Sequence, residues 1–146
     1  MRRGRSRRWL RATALGTALL LSGCGSTSSS GTRAASVPTR PTTPALIQIV
    51  APAPNQHTGS VVEAKLRLDN AHVAPPGKVG GILHPDEGHI HLTLDGRLVA
   101  MPSQLDARLP RLSTGPHTLE AEFVASDHLP FENRVVAAVS FEVRDR

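Results

Sequence analysis

Seven histidines are the residues of this sequence best suited to chemistry, and two of them stand two positions apart in the run GHIHLTLDG. The residues that alternate with His89 and His91 are Ile90, Leu92 and Leu94. This spacing predicts a β-strand with the apolar side chains on one face and both imidazoles on the other. Paired imidazoles can bind one divalent ion, and Zn²⁺ or Cu²⁺ would suit them because both metals bind neutral imidazole.

Further ligands for such an ion would have to come from loops. His84 precedes the strand, with Asp86 and Glu87 beside it, and His128 follows Asp127 in a second loop. These side chains become candidate ligands if the loops meet at one end of the fold.

Two other interpretations of the His89 and His91 pair remain open. The imidazoles could lie on a solvated sheet face or donate hydrogen bonds to backbone carbonyls that fix the long loop 70–87. They could also form a contact surface whose charge changes with pH. His117 lies two positions before Leu119, so both side chains should point to the same inward face of the strand. This predicts a hydrogen-bonded core histidine.

The sequence contains no convincing catalytic arrangement. Ser113 lies near His117, but no GxSxG motif is present, and closeness in sequence does not establish a nucleophile and its base. Glu120 and Glu122 share an outward strand face, which is typical of a solvated surface. The glycines of residues 77–81 follow prolines rather than a strand, so no phosphate-binding loop is indicated. We predict a protein that is not an enzyme and does not bind nucleotides.

Cys24 is the only cysteine and ends the sequence LSGC. A basic start and the apolar run 12–21 precede it, which predicts a signal peptide over residues 1–23. The apolar run is too short to span a bilayer as a permanent helix. LSGC resembles the lipobox of bacterial lipoproteins. The resemblance implies diacylglycerol on the Cys24 thiol, cleavage before this residue, and acylation of the new amino group by a chain such as palmitate.

Charge follows the same division of the chain. Seventeen Lys and Arg against twelve Asp and Glu give a formal net charge of +5, but six arginines precede Cys24. The mature chain keeps eleven basic residues against twelve acidic ones, a net charge of −1. No basic patch remains to indicate nucleic acid binding.

Lipid on Cys24 is expected to hold the exported chain at the outer face of the cell membrane or of another envelope membrane. The general export route is favoured, with twin-arginine export left open by Arg7 and Arg8.

The rest of the sequence predicts a tether and one domain. Residues 24–44, rich in Ser, Thr and Pro, predict a lipidated cysteine followed by a disordered tether. Residues 45–146 predict an all-β domain because strand-like runs alternate apolar and polar residues between Gly and Pro signals. These runs span 45–50, 60–68, 88–96, 97–101, 116–124 and 134–144. Asp95 and Gly96 predict a hairpin turn, and 70–87 and 126–133 predict loops. Six or seven short strands in about 100 residues predict an antiparallel β-sandwich.

Residues 84–143 also carry a family resemblance. Their patterns GHIHLTLDG, GPHTLEAEF, SDHLPF and VSFEV are similar to those of bacterial extracytoplasmic immunoglobulin-like domains, which are largely uncharacterised. The resemblance implies an immunoglobulin-like sandwich. It is architectural, because the Cys pair and core Trp of antibody domains and the Tyr of a tyrosine corner are missing.

The sequence therefore predicts a membrane-anchored extracytoplasmic lipoprotein whose sandwich is a non-enzymatic binding module, with no cofactor. Its partner would be a protein or another component of the cell envelope. The alternative is a Zn²⁺ or Cu²⁺ binding protein centred on His89 and His91, with His84, His128 and Asp127 as further ligands.

Overall fold

The structure, a computed structural model, describes residues 39–144. This part of the chain contains nine β-strands and no helix, which confirms the prediction of an all-β fold. It also contains no helix long and apolar enough to cross a membrane. The predicted signal peptide, Cys24 and most of the predicted tether lie outside the described residues.

The strands form two sheets. In chain order they are β1 Leu46–Ala51, β2 His57–Thr58, β3 Glu63–Asp69, β4 His72–Val73, β5 Glu87–Leu94, β6 Arg97–Ala100, β7 Asp106–Arg108, β8 Gly115–Ala125 and β9 Pro130–Val143. The smaller sheet has the order β1-β3-β7, and the larger has the order β2-β9-β8-β5-β4, with β6 also paired to β5. The β2–β9 and β4–β5 pairs are parallel, whereas the other pairs are antiparallel.

One apolar core lies between the two sheets, so the fold is a β-sandwich. The smaller sheet contributes Ile47, Ala64 and Leu66 to this core. The larger sheet contributes mainly Ile90, Leu92, Leu119, Ala121, Phe123, Val139, Phe141 and Val143. That this sandwich is immunoglobulin-like stays a prediction.

Strand β5 shows why the sequence folds in this register. Its even-numbered residues from Gly88 to Leu94 are buried, and the odd-numbered residues between them are half-buried on the outer face. The predicted placement of His89 and His91 opposite the apolar residues is therefore confirmed. The turn that follows has φ values of 50° at Asp95 and 79° at Gly96. Two successive positive φ angles are typical of a type I′ turn, as the hairpin prediction required.

The folded domain begins earlier than the sequence indicates. Residues 39–44 were assigned to the disordered tether, but they lie against the start of β9. The Thr43 N–H donates to Asn133 Oδ1, and Asn133 Nδ2 donates to the Thr43 carbonyl, both at 2.8 Å. The Glu132 N–H donates to the Pro41 carbonyl at 3.1 Å. Composition could not reveal this docking because it rests on hydrogen bonds to residues about ninety positions away.

Three short strands, β2, β4 and β7, were not predicted. Each has only two or three residues, too few for an alternating pattern to be visible. Strand β4 interrupts the predicted loop 70–87, where the His72 N–H donates to the Asp86 carbonyl at 2.9 Å. The second loop is also shorter than predicted, because β9 already begins at Pro130.

Gly88 provides a test of the packing between β5 and β8. A Cβ at this position would lie 2.0 Å from the Val124 carbonyl oxygen and 3.1 Å from Phe123 Cζ. We expect Gly88→Ala to lower the free energy of unfolding by about 1–3 kcal/mol, because the backbone of one strand must shift. Urea unfolding followed by circular dichroism measures this change.

The matched control is Gly59→Ala, because a Cβ there would have no neighbour within 4 Å. It should change the free energy of unfolding by less than about 0.5 kcal/mol. Equal effects of the two substitutions on the free energy of unfolding would contradict the close approach of Gly88 to the Val124 carbonyl.

Candidate metal centre

The structure brings an imidazole from each of two separate segments together on the outer face of the larger sheet. His91 Nε2 lies 3.2 Å from His128 Nδ1, so the two rings share a hydrogen bond. Their ring centroids are 5.5 Å apart. His89 joins them from the other side, with its ring parallel to that of His128 at a centroid distance of 4.5 Å. We call His89, His91 and His128 the histidine cluster.

Backbone geometry sets the position of each ring in the histidine cluster. The apolar residues of β5 face the core, so His89 and His91 project outward. His128 lies in the turn between β8 and β9, where it adopts a left-handed conformation with φ of 63°. Its N–H donates to the Ala125 carbonyl at 2.9 Å, and the Ala125 N–H donates to the Leu129 carbonyl at 3.0 Å. These bonds fold the turn back so that the His128 ring lies over β5.

His89 also fixes the long loop that precedes β5. Its Nε2 donates to the Lys78 carbonyl at 2.8 Å. This contact agrees with the interpretation of a loop-anchoring imidazole for this residue. A donor nitrogen committed to a carbonyl is not free to bind a metal through the same atom.

The two loops beside the histidine cluster are joined to one another. The Gly80 N–H donates to the Ser126 carbonyl at 2.9 Å, and Ser126 Oγ donates to the Gly80 carbonyl at 3.4 Å. Lys78 forms an ion pair with Glu87 at the start of β5. The two loops therefore meet at one end of the fold, which we call the loop end.

The electrostatic environment favours a neutral His91. Burial lowers the pKa of His91, and the positive charge that His128 and His89 would carry when protonated lowers it further. Glu122 opposes this shift from β8, where it is paired with His91 across the strands. Its Oε1 accepts a hydrogen bond of 2.8 Å from Arg134 Nε. Sequence reasoning placed Glu122 on a solvated face and missed its proximity to His91, which only the strand register reveals.

The other predicted ligands lie elsewhere. Asp127 forms a two-pronged ion pair with Arg40, with oxygen to nitrogen distances of 2.8 and 2.9 Å. This hydrogen bonding to Arg40 lowers the pKa of Asp127. The His84 side chain is exposed, and its carbonyl accepts the Glu87 N–H at 3.4 Å. Across residues 39–144, no three His, Cys, Asp or Glu side chains are arranged to hold a metal together.

His117 is a core histidine, as its strand parity predicted. It is only 9% exposed. Its Nε2 donates to the Ser113 carbonyl at 2.9 Å, and its Nδ1 contacts Asp95 Oδ2 at 2.7 Å. Both contacts stabilise a protonated ring, so the Ser113 carbonyl and then Asp95 raise the pKa of His117. This arrangement ties the loop before β8 to the β5–β6 turn.

The same residues show how Ser, His and Asp can be close without forming a catalytic triad. Ser113, His117 and Asp95 all line an open groove of about 370 Å³. The His117 nitrogen that would have to accept the hydroxyl proton instead donates to the backbone carbonyl of Ser113. In this arrangement His117 cannot act as the base for Ser113.

The His117 contacts predict a pH dependence of stability. A raised pKa means that the protonated ring stabilises the fold below about pH 6.5, and this contribution is lost as the pH rises through the folded-state pKa. Asp95→Asn keeps the turn, because Asn tolerates positive φ, but removes the carboxylate. We expect the pKa of His117 to fall in this variant, as measured by NMR titration of its ring protons.

The wild type and Asp95→Asn should also become more alike in stability as the pH rises. The reason is that the wild type loses the ion pair between Asp95 and His117 when His117 deprotonates. The difference in free energy of unfolding should narrow as the pH rises above about 6.5 and through the raised pKa of His117. An unchanged His117 pKa in Asp95→Asn would show that the carboxylate has no such effect.

Comparisons with known proteins add one structural likeness. No protein-family model matches this chain, and no curated protein sequence matches it. The crystal structure of CopC from Methylosinus trichosporium OB3b is similar to it, with 18% sequence identity and a TM-score of 0.36. The similarity covers 68% of this chain and 92% of that chain. At this TM-score the likeness assigns neither a function nor a ligand to the chain.

Proposed function

We propose that this chain is a membrane-anchored extracytoplasmic binding protein, without enzymatic activity, whose ligand is a divalent transition-metal ion such as Zn²⁺ or Cu²⁺. The observation that carries the proposal is the 3.2 Å separation of His91 Nε2 and His128 Nδ1. The sequence alone favoured a general interaction module over a metal site. The convergence of two imidazole nitrogens from distant segments reverses that order.

The separation of the two nitrogens suits a shared metal ion. Zinc binds imidazole nitrogen at about 2.0–2.1 Å, so two nitrogens 3.2 Å apart would subtend an angle of about 100–106° at the metal. This is close to the tetrahedral angle of about 109°. For both nitrogens to bind one ion, the donating ring would carry its proton on its other nitrogen, and a small rotation of the two rings would direct both lone pairs at the ion.

The electrostatics of the cluster support the same ligand. Metal binding requires neutral imidazole, and burial already lowers the pKa of His91. Glu122 faces His91 across the strands, with its carboxylate paired to Arg134. With two protein nitrogens as the direct ligands, the remaining coordination positions would be taken by water or by a donor from another molecule.

Metal titration tests this proposal. Isothermal calorimetry of the mature protein with Zn²⁺ and Cu²⁺ should show binding at pH 7 that weakens as the imidazoles are protonated. His91→Ala and His128→Ala should each lower the affinity by about tenfold or more, since each removes one of two direct ligands.

His84→Ala is the matched control, because this exposed histidine lies outside the histidine cluster. It should leave the affinity unchanged. Wild-type affinity in both His91→Ala and His128→Ala would remove the basis for a metal site here.

The membrane anchor is a separate part of the proposal and rests on residues 1–24. The apolar run, the LSGC sequence and the only cysteine occur in the order that lipid attachment requires. Stable anchoring takes about two acyl chains or an equivalent second signal, and a lipidated, acylated Cys24 would carry enough. The near-neutral mature chain offers no alternative electrostatic attachment.

Cys24→Ser tests the anchor. We expect the variant to move from the membrane fraction to the soluble extracytoplasmic fraction or to remain unprocessed. Its metal affinity and unfolding temperature should match those of the wild type, because Cys24 lies outside the described domain. Unchanged membrane retention of a processed Cys24→Ser protein would exclude the lipid as the anchor.

A further inference from the structure

The loop end carries exposed apolar side chains that the metal site does not use. Ile82 is 81% exposed and Val79 67%, the highest values among the large apolar residues of the described chain. Leu129 is 54% exposed in the β8–β9 turn. We call Val79, Ile82 and Leu129 the apolar tip.

The members of the apolar tip lie on two loops that are hydrogen-bonded to each other. Val79 precedes Gly80, which forms two hydrogen bonds with Ser126 at the start of the β8–β9 turn. Ile82 follows two residues later in the same loop, and Leu129 lies in the turn itself. The His89 contact to the Lys78 carbonyl further holds this loop at the head of β5.

The N-terminal segment enters the domain at this same end. Arg40 pairs with Asp127 and donates to the carbonyls of Leu129 and Pro130. The end of β9 lies at the other end of the sandwich, where Val143 pairs with Gly115 at the start of β8. The chain therefore enters the domain beside the apolar tip and leaves it at the opposite end.

We propose that the apolar tip docks onto the lipid surface to which the chain is anchored. The inference rests on the proposed lipid at Cys24. Fifteen residues separate Cys24 from Arg40, and a chain of that length reaches at most about 50–60 Å even when fully extended. The Arg40 contacts hold the domain end of this link at the loop end. The link therefore raises the effective concentration of lipid there.

Apolar side chains on adjoining loops are suited to such a surface. They can enter the boundary between headgroups and acyl chains while the polar loop backbone stays hydrated. The net charge of the mature chain gives no electrostatic attraction to anionic lipid, so the docking depends on apolar contact. It places the histidine cluster, which is formed by β5 and the β8–β9 turn, beside the membrane.

A single tryptophan can report this contact. The only Trp of the chain is Trp9 in the predicted signal peptide, so the processed chain contributes no background tryptophan fluorescence. Ile82→Trp then places one fluorophore at the apolar tip. Leu98→Trp is the matched control, because Leu98 is 54% exposed on β6 and pairs with Thr93 near the far end of β5.

Both variants are purified from membranes as the lipidated, processed chain that begins at Cys24, and they are reconstituted into phosphatidylcholine vesicles containing brominated acyl chains. We expect quenching of Ile82→Trp about twofold or more above that of Leu98→Trp, with a blue-shifted emission. Adding Val79→Asp and Leu129→Asp to Ile82→Trp should reduce the quenching to the level of the control.

The outcomes separate docking from anchoring. Membrane-bound protein with equal quenching of the two fluorophores overturns the docking and leaves the lipid anchor intact. Protein found only in the soluble fraction overturns the anchor and, with it, the docking. Metal affinity is measured on the same samples and is independent of both results.

Discussion

The two-residue period of β5 is the constraint on which the rest of the structure depends. Ile90 and Leu92 are fully buried between the sheets, and burial of each such side chain contributes about 1.5–3 kcal/mol. A slip of one residue would expose them and turn His89 and His91 into the core. Because the apolar residues of β5 occupy the core, His89 and His91 face outward, toward the β8–β9 turn.

Most of the fold could be predicted because it depends on local alternation. The long strands β3, β5, β8 and β9 each repeat apolar residues at every second position, and the Asp95–Gly96 turn has a strong sequence signal. The short strands β2, β4 and β7 could not be recognised, since they exist only through pairing with a longer neighbour. Docking of residues 39–44 was equally invisible, because a Ser, Thr and Pro composition describes the segment but not its partners.

The candidate site was predictable only in part. Strand parity placed His89 and His91 on the same outer face, but it could not show that His89 would be committed to a backbone carbonyl. The approach of His128 depends on a left-handed turn residue and on the pairing of β8 with β5. Asp127 illustrates the converse. A carboxylate suits a metal ligand, and the sequence predicted Asp127 as one. Both of its oxygens instead accept hydrogen bonds from Arg40, which lies in the segment predicted to be disordered.

The pairing of Arg40 with Asp127 also bears on the order of events during synthesis and export. If the chain is exported as proposed, its mature N-terminal part crosses the membrane first, so Arg40 would emerge long before the residues that bind it. The distant hydrogen-bond partners of Arg40, Pro41 and Thr43 all lie in the β8–β9 turn and the start of β9, so these contacts must wait for that part of the chain. Closure of the segment onto the finished domain would be among the last steps of folding.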